Sequence, residues 1–175
     1  EKAKELLAQA GKADGFSFEI LTSGSSIEYV RAAEIAQAML LDVGINMEIK
    51  QLEAAALTAA MNNKEHQMII YGLNSATGDP DVTIFKAFHS STHGSGGNRV
   101  CYSDPDIDAR LAAARIEMDH PTRVQMYKDI QALLIEDCAW IPVVNPYILT
   151  AGVANLKGVE VLPTQRIRFQ NAYFE

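Results

Sequence analysis

The chain has 175 residues, 48% of them hydrophobic and 21% charged, enough for one domain with a substantial core. Its net charge of −7, from 22 acidic and 15 basic residues, argues against a nucleic-acid-binding surface or a polybasic membrane patch, and fits a protein that meets small molecules or other proteins. No window reaches the roughly 18 to 20 apolar residues of a membrane span. The opening Glu1-Lys2-Ala3-Lys4 is a helical pattern and not a secretory leader, and without an initiator Met the expectation is a piece of a longer protein.

In chain order, residues 2 to 10 place Leu6, Leu7 and Ala10 on one face of a predicted helix, with Gly11 as its stop. Phe16, Phe18 and Ile20 alternate with Ser17 and Glu19, which predicts a strand. Ser25 and Glu28 have capping-box spacing. They introduce a long helix with Val30, Ala33, Ile35, Ala36, Met39 and Leu40 inward, and Gly44 is placed to end it in a left-handed conformation. Ile45, Met47 and Ile49 alternate with Asn46, Glu48 and Lys50 as a second strand. Ala54 to Met61 is an Ala-rich helix stopped by Asn62 and Asn63. The apolar residues 67 to 73 form a third strand, whose weak alternation predicts a central position. The first half therefore reads β-α-β-α-β, with parallel strands and right-handed crossovers.

After a small, polar stretch from Asn74 to Pro80, a new apolar pattern starts at Val82. Residues 89 to 98 form a Gly/Ser-rich loop. Asp104-Pro105 reads as an N-cap with Pro at the first helical position, and that helix runs to about Met118. Pro121 starts another in the same way, carrying Val124, Tyr127, Ile130, Leu133 and Leu134. Trp140 to Leu149 is apolar enough for a buried strand, restricted to bends or an edge by Pro142 and Pro146. The tail from Gly158 alternates weakly.

The loop after the third strand is the first candidate site. α/β proteins commonly bind ligands at the carboxyl edge of the sheet, although an ordinary solvated connection fits the same local pattern. Asp79 and Asp81 read as a helix-cap pair with no need of a catalytic role. Ser23-Gly24-Ser25 lacks the Walker or dinucleotide spacing and reads as a capped turn. His89 and His93 have a metal-binding separation only on a helix, which Gly94, Gly96 and Gly97 disfavour. The residues thus predict no metal, no cofactor and no enzyme. Tyr71 and Tyr102 fit either ligand contact or a core role, and Trp140 fits packing. Cys101 and Cys138, 37 residues apart, fit two buried free thiols or, in an exported parent, one disulfide.

The order of segments resembles the C-terminal portion of the family 5 extracellular solute-binding proteins, the peptide, nickel and glutathione receptors of bacterial ABC importers. The segments are AKELLAQAG followed by FSFEILTSG, YVRAAEIAQAMLLDVGINMEIKQLE, YGLNSATGDPD, NRVCYSDPDIDARLAAAR and RVQMYKDIQALLIEDCAWIPV. Together they span nearly the whole chain. The resemblance implies an α/β fold, a periplasmic-binding-protein type II-like lobe with a mixed, mostly parallel sheet flanked by helices. It implies that residues 1–175 are a single domain, one lobe of a two-lobed receptor.

It further implies ligand-binding roles for Tyr71, Asn74, Ser75, Thr77, Asp79, Asn98 and Tyr102. In peptide-binding members, an Asp three residues before the Asp-Pro pair receives the ligand's amino terminus; here that position is Ala76. Either Asp79 or another carboxylate substitutes, or the ligand is not a conventional free-amine peptide. SATGDPD looks more like the glutathione- and opine-binding relatives. The implied partners are a small peptide or peptide-like solute and the membrane permease of an ABC importer, with no nucleic acid and no direct membrane insertion. The implied place is periplasmic or extracellular, membrane-associated through the parent protein. The alternative is a metabolite-sensing domain of the same fold fused to a cytoplasmic transcriptional regulator.

Overall fold

The computed structural model describes residues 1–145 and 147–175, with the backbone alone at residue 95. The chain folds as two compact units, residues 1–72 with 91–101 and residues 73–90 with 102–175.

The first unit is built on a three-stranded parallel sheet. Helix α1 (Lys2–Gln9) precedes strand β1 (Phe16–Ser23), helix α2 (Ile27–Leu41), strand β2 (Ile45–Leu52), helix α3 (Ala54–Asn63) and strand β3 (Met68–Ile69). The strand order is β2-β1-β3. β1 pairs with β2 from Phe16 opposite Ile45 to Ser23 opposite Leu52, and with β3 at Ile20 opposite Met68 and Leu21 opposite Ile69. The predicted alternation of elements is present, with parallel pairing throughout this sheet.

The central strand is β1, not the third strand as expected. β1 has a partner on each side and carries the consecutive buried residues Ile20, Leu21 and Thr22, whereas β3 is a two-residue edge. Past Ile69 the chain keeps one further ladder bond, from the Ile70 N–H to the Leu21 carbonyl at 3.0 Å, and then leaves the sheet. Leu21, Leu57, Ala60 and Met61 form a buried cluster against which Leu52, Ile69 and Tyr71 pack. Burying a Leu side chain of this kind contributes roughly 1.5–3 kcal/mol.

Several local expectations are corrected. The capping box of Ser25 and Glu28 does not form: Ser26 is the N-cap of α2, and its hydroxyl donates to the Glu28 carboxylate at 3.2 Å. α2 buries Ala33, while Ile35 and Met39 are exposed. No residue of α1 is buried. α3 runs through both Asn62 and Asn63 and ends at Lys64, left-handed at φ 61°, with the Glu65 N–H bonded to the Ala60 carbonyl at 2.9 Å. Gly44 is left-handed at φ 89°, as expected, and it receives the close approach of Gly15.

The second unit holds helices α4 (Pro80–Phe88), α5 (Pro105–Ile116) and α6 (His120–Glu136), with α5 packed on both others. All three begin with an Asp N-cap and an early Pro. Asp79 accepts from the Asp81 N–H, Asp104 from those of Asp106 and Ile107, and Asp119 from that of Thr122. α5 stops at Ile116, short of the expected Met118, because Glu117 turns extended and its carboxylate accepts from the Asp119 N–H at 2.7 Å. Ile107, Leu111, Ala114, Tyr127, Ile130 and Leu134 are buried.

The predicted strand over 140–149 is absent among the described residues; Pro146 lies outside them. Ile141, Val143, Val144, Tyr147 and Leu149 are exposed, so the apolar character of this stretch is not spent on a core within the unit. The tail instead forms two short antiparallel ladders, β4 (Leu156–Lys157) with β7 (Tyr173–Phe174) and β5 (Glu160–Val161) with β6 (Ile167–Arg168). Cys101 and Cys138 are free and exposed rather than buried.

Candidate functional site

The segment between β3 and α4 holds its shape through short hydrogen bonds that its own residue types supply. The Ser75 hydroxyl accepts from the Gly78 N–H at 2.9 Å and donates to the Asp79 carbonyl at 3.0 Å. The Thr77 hydroxyl accepts from the Asp79 N–H at 3.2 Å. Side-chain oxygens of Ser and Thr are suited to such local turns, and Gly78, at φ 81°, takes the left-handed position. Asn74, Ala76 and Thr77 are exposed.

Asp79 does more than cap α4. Arg123 of α6 grips both of its oxygens, Nη1 donating to Oδ2 at 3.0 Å and Nη2 to Oδ1 at 2.8 Å. The same guanidinium donates from Nε to the Ala114 carbonyl at 3.0 Å, with the Tyr127 ring 5.0 Å from its centre. The Arg123 hydrogen bonds, and then the Asp81 N–H, hold the Asp79 carboxyl below the usual carboxylate range.

Asp81 is matched in the same way. Arg115 donates from Nε at 3.0 Å and from Nη2 at 3.1 Å, and the Tyr127 hydroxyl donates at 3.3 Å. Burial, and then the Asp81 charge, push the Tyr127 phenol up to about 12. Arg115 also lies 3.5 Å from the centre of the Phe85 ring, and Phe85 stacks on His89 at 4.2 Å. Thr77, Gly78 and Asp79 face His120, Arg123 and Tyr127 across an open hollow of about 430 Å³.

The residues singled out from sequence divide between the units. Asn74, Ser75, Thr77 and Asp79 share the loop just described. Tyr102 also belongs to the second unit; its hydroxyl donates to Asp137 at 2.6 Å and its ring meets Phe88 edge-on at 6.3 Å. Burial, then the Asp137 bond, raise its pKa. Tyr71 belongs to the first unit, packed on the Leu21 cluster with the Arg99 guanidinium 5.9 Å from its ring centre; burial raises its pKa and Arg99 partly offsets this. Asn98 is fully buried in the first unit, its N–H bonded to the Thr92 carbonyl and its own carbonyl to the Gly94 N–H.

Sequence reasoning missed Arg123, Arg115 and His120. The available signals were the position of Arg123 at the head of a helix and the place of Arg115 and Arg123 at the ends of two segments that carry the family resemblance. In the first unit it missed His66 and Arg99, joined by a 2.8 Å contact from the His66 ring to the Arg99 carbonyl; His66 Nδ1, Arg99 Nε and Asn62 Oδ1 are buried without a hydrogen-bond partner among the described residues. Among the described residues, no group of three or more His, Cys, Asp or Glu side chains could hold a metal, and no helix is long and apolar enough to cross a membrane.

Comparison with known proteins gives concordant results. The chain is 30% identical over 166 residues to a di/tripeptide-binding protein 2 of Pseudomonas aeruginosa, covering 93% of this chain and 31% of that protein. It is 28% identical over 177 residues to the glutathione-binding protein GsiB of Salmonella paratyphi A, covering 98% of this chain and 35% of that one. It superimposes with a TM-score of 0.84, at 27% identity, on the crystal structure of a dipeptide-binding protein from Pseudoalteromonas in complex with Met-Leu, over 99% of this chain and 35% of that one. The chain thus spans about a third of the length of these relatives. Its α/β architecture is that of the corresponding part of periplasmic binding proteins. Residues 1–95 match the middle region of the bacterial extracellular solute-binding proteins, family 5, and the chain belongs to that family.

Proposed function

We propose that the chain is part of a bacterial receptor that captures peptides or peptide-like small solutes and delivers them to the membrane permease of an ABC importer. The observation that carries this reading is the match to di/tripeptide- and glutathione-binding relatives over more than nine-tenths of the chain. Residues 1–175 act as one lobe of that receptor, in the periplasm or outside the cell, held at the membrane through the rest of the protein. Capture is closure of this lobe against the remainder of the receptor, with no bond made or broken and no cofactor. Tyr71, Asn74, Ser75, Thr77, Asp79, Asn98 and Tyr102 are the proposed ligand-binding residues. Of these, Asn74 and Thr77 offer exposed neutral donors and acceptors on a shaped loop.

Native mass spectrometry of the full-length receptor, purified without denaturation, tests the reading, because a closed cleft retains its solute. We expect a co-purifying peptide or peptide conjugate, and Asn74→Ala and Thr77→Ala in that receptor to weaken its binding several-fold. A receptor that carries no solute and binds no di- or tripeptide by calorimetry would sink the reading.

A further inference from the structure

The loop that ends at Asp79 contains one carboxylate, and although 41% of that side chain is exposed, both of its oxygens are engaged. Oδ1 accepts from Arg123 Nη2 and from the Asp81 N–H, and Oδ2 accepts from Arg123 Nη1. The guanidinium is itself fixed, since Nε is held by the Ala114 carbonyl. The next acid, Asp81, is gripped by Arg115 and by the Tyr127 hydroxyl. A solute ammonium arriving at this loop would meet a carboxylate whose charge a two-pronged guanidinium already balances, and displacing that guanidinium would leave Arg123 without its counter-charge. Apart from the Arg123-paired Asp79, the polar side chains exposed on the loop are neutral, Asn74 and Thr77, and the facing side of the hollow adds His120, not an acid.

Resting on the receptor reading above, we propose that Arg123 is a positioning and specificity-determining residue: by clamping Asp79 it fixes the 74–79 loop and balances the charge of its carboxylate, so the loop receives a neutral or anionic end of the solute, an amide, hydroxyl or carboxylate, and not a free ammonium. The clamp joins residues 44 positions apart, so it fixes the loop to the helical layer of its own unit. The ligand class that follows is a peptide or peptide conjugate whose loop-facing end is acylated or otherwise lacks a cationic amine.

Titration calorimetry of the full-length receptor with trialanine and N-acetyl-trialanine tests this. The readout is the ratio of the two dissociation constants, which a merely structural role for Arg123 would leave unchanged while both affinities fell together. In the unsubstituted receptor the acetylated form binds at least as well as the free amine. Arg123→Gln, which frees the Asp79 carboxylate, moves the ratio toward the free amine by about tenfold or more, the order expected when an ammonium gains a carboxylate partner. Ala76→Asp sets a new carboxylate on an exposed loop position away from the clamp and moves the ratio the same way, so it carries the test if Arg123→Gln does not fold. Tighter binding of free trialanine by the unsubstituted receptor, or a ratio unmoved by substitution, overturns the inference and leaves the receptor reading standing. Binding of neither tripeptide by any form overturns both.

Discussion

Asp79 shows how much chemistry one residue can hold. Its role as an N-cap is local: Asp before Pro, with the acceptor facing the N–H two residues on, is readable from three adjacent letters. Its pairing with Arg123 is not, because the partner lies 44 positions away on another helix. The pair is partly solvated, with 41% of the Asp79 side chain exposed, so its worth is that of a good surface pair, about 0.5–1 kcal/mol. Asn keeps the cap but loses the charge, so Asp79→Asn should lower stability at neutral pH by about that amount. The folded carboxyl lies below its ordinary value of 3.8. The charge contribution is therefore fully present above that value and is lost as pH falls through the lower folded one. Thermal melts through the acid range should show the two proteins converging as pH drops. A gap that persists in strong acid would mean that the pair is not the source of the difference.

At the scale of elements, start and stop signals were largely legible and contacts between elements were not. Asp104-Pro105 and Pro121 announced α5 and α6, and Gly11 and Gly44 ended α1 and α2 in left-handed conformations. Nothing in the string showed that Gly15 and Gly44 would meet. Gly15 is at φ 77°, and a Cβ there would lie 1.8 Å from the Gly44 carbonyl oxygen, whereas a Cβ on Gly11, at φ 68°, would meet nothing within 4 Å. Gly11→Ala should then cost only the left-handed backbone penalty, on the order of 1 kcal/mol. Gly15→Ala must also push the start of β1 from the residue that leads into β2, and should cost clearly more, about 3 kcal/mol or beyond. Equal losses in urea melts of the two variants would rule out the close approach as a constraint. The missing capping box teaches a similar lesson: Ser25 and Glu28 have the right spacing, but the helix begins one residue later, and Ser25 bonds to Ser23 instead.

For the whole molecule, the informative feature is apolar surface without a core to join. Ile141, Val143, Val144, Tyr147 and Leu149 are exposed in one stretch, as are Phe169, Tyr173 and Phe174 near the end. Clusters of this kind mark surfaces that associate with other protein. The purified 175-residue chain should therefore self-associate at tens of micromolar in sedimentation runs, and Val144→Ser with Leu149→Ser should reduce this with little change in stability, since neither side chain is buried. A strictly monomeric chain under those conditions would remove the argument.

The sequence by itself determined the alternation of elements, the Asp-capped helix starts, the position of the polar loop and the membership in a family of solute receptors. These rest on periodicity, turn chemistry and ordered motifs, all of which act over a few residues at a time. Tertiary structure alone decided that β1 and not β3 is central, that Ile141, Val143, Val144, Tyr147 and Leu149 are exposed, and that Asp79 and Asp81 are each held by an arginine. Strand order, burial and ion pairing depend on which distant segments meet, and a local pattern carries no record of its partner: the same apolar run serves a core or an open face, and the same carboxylate serves a ligand or a guanidinium.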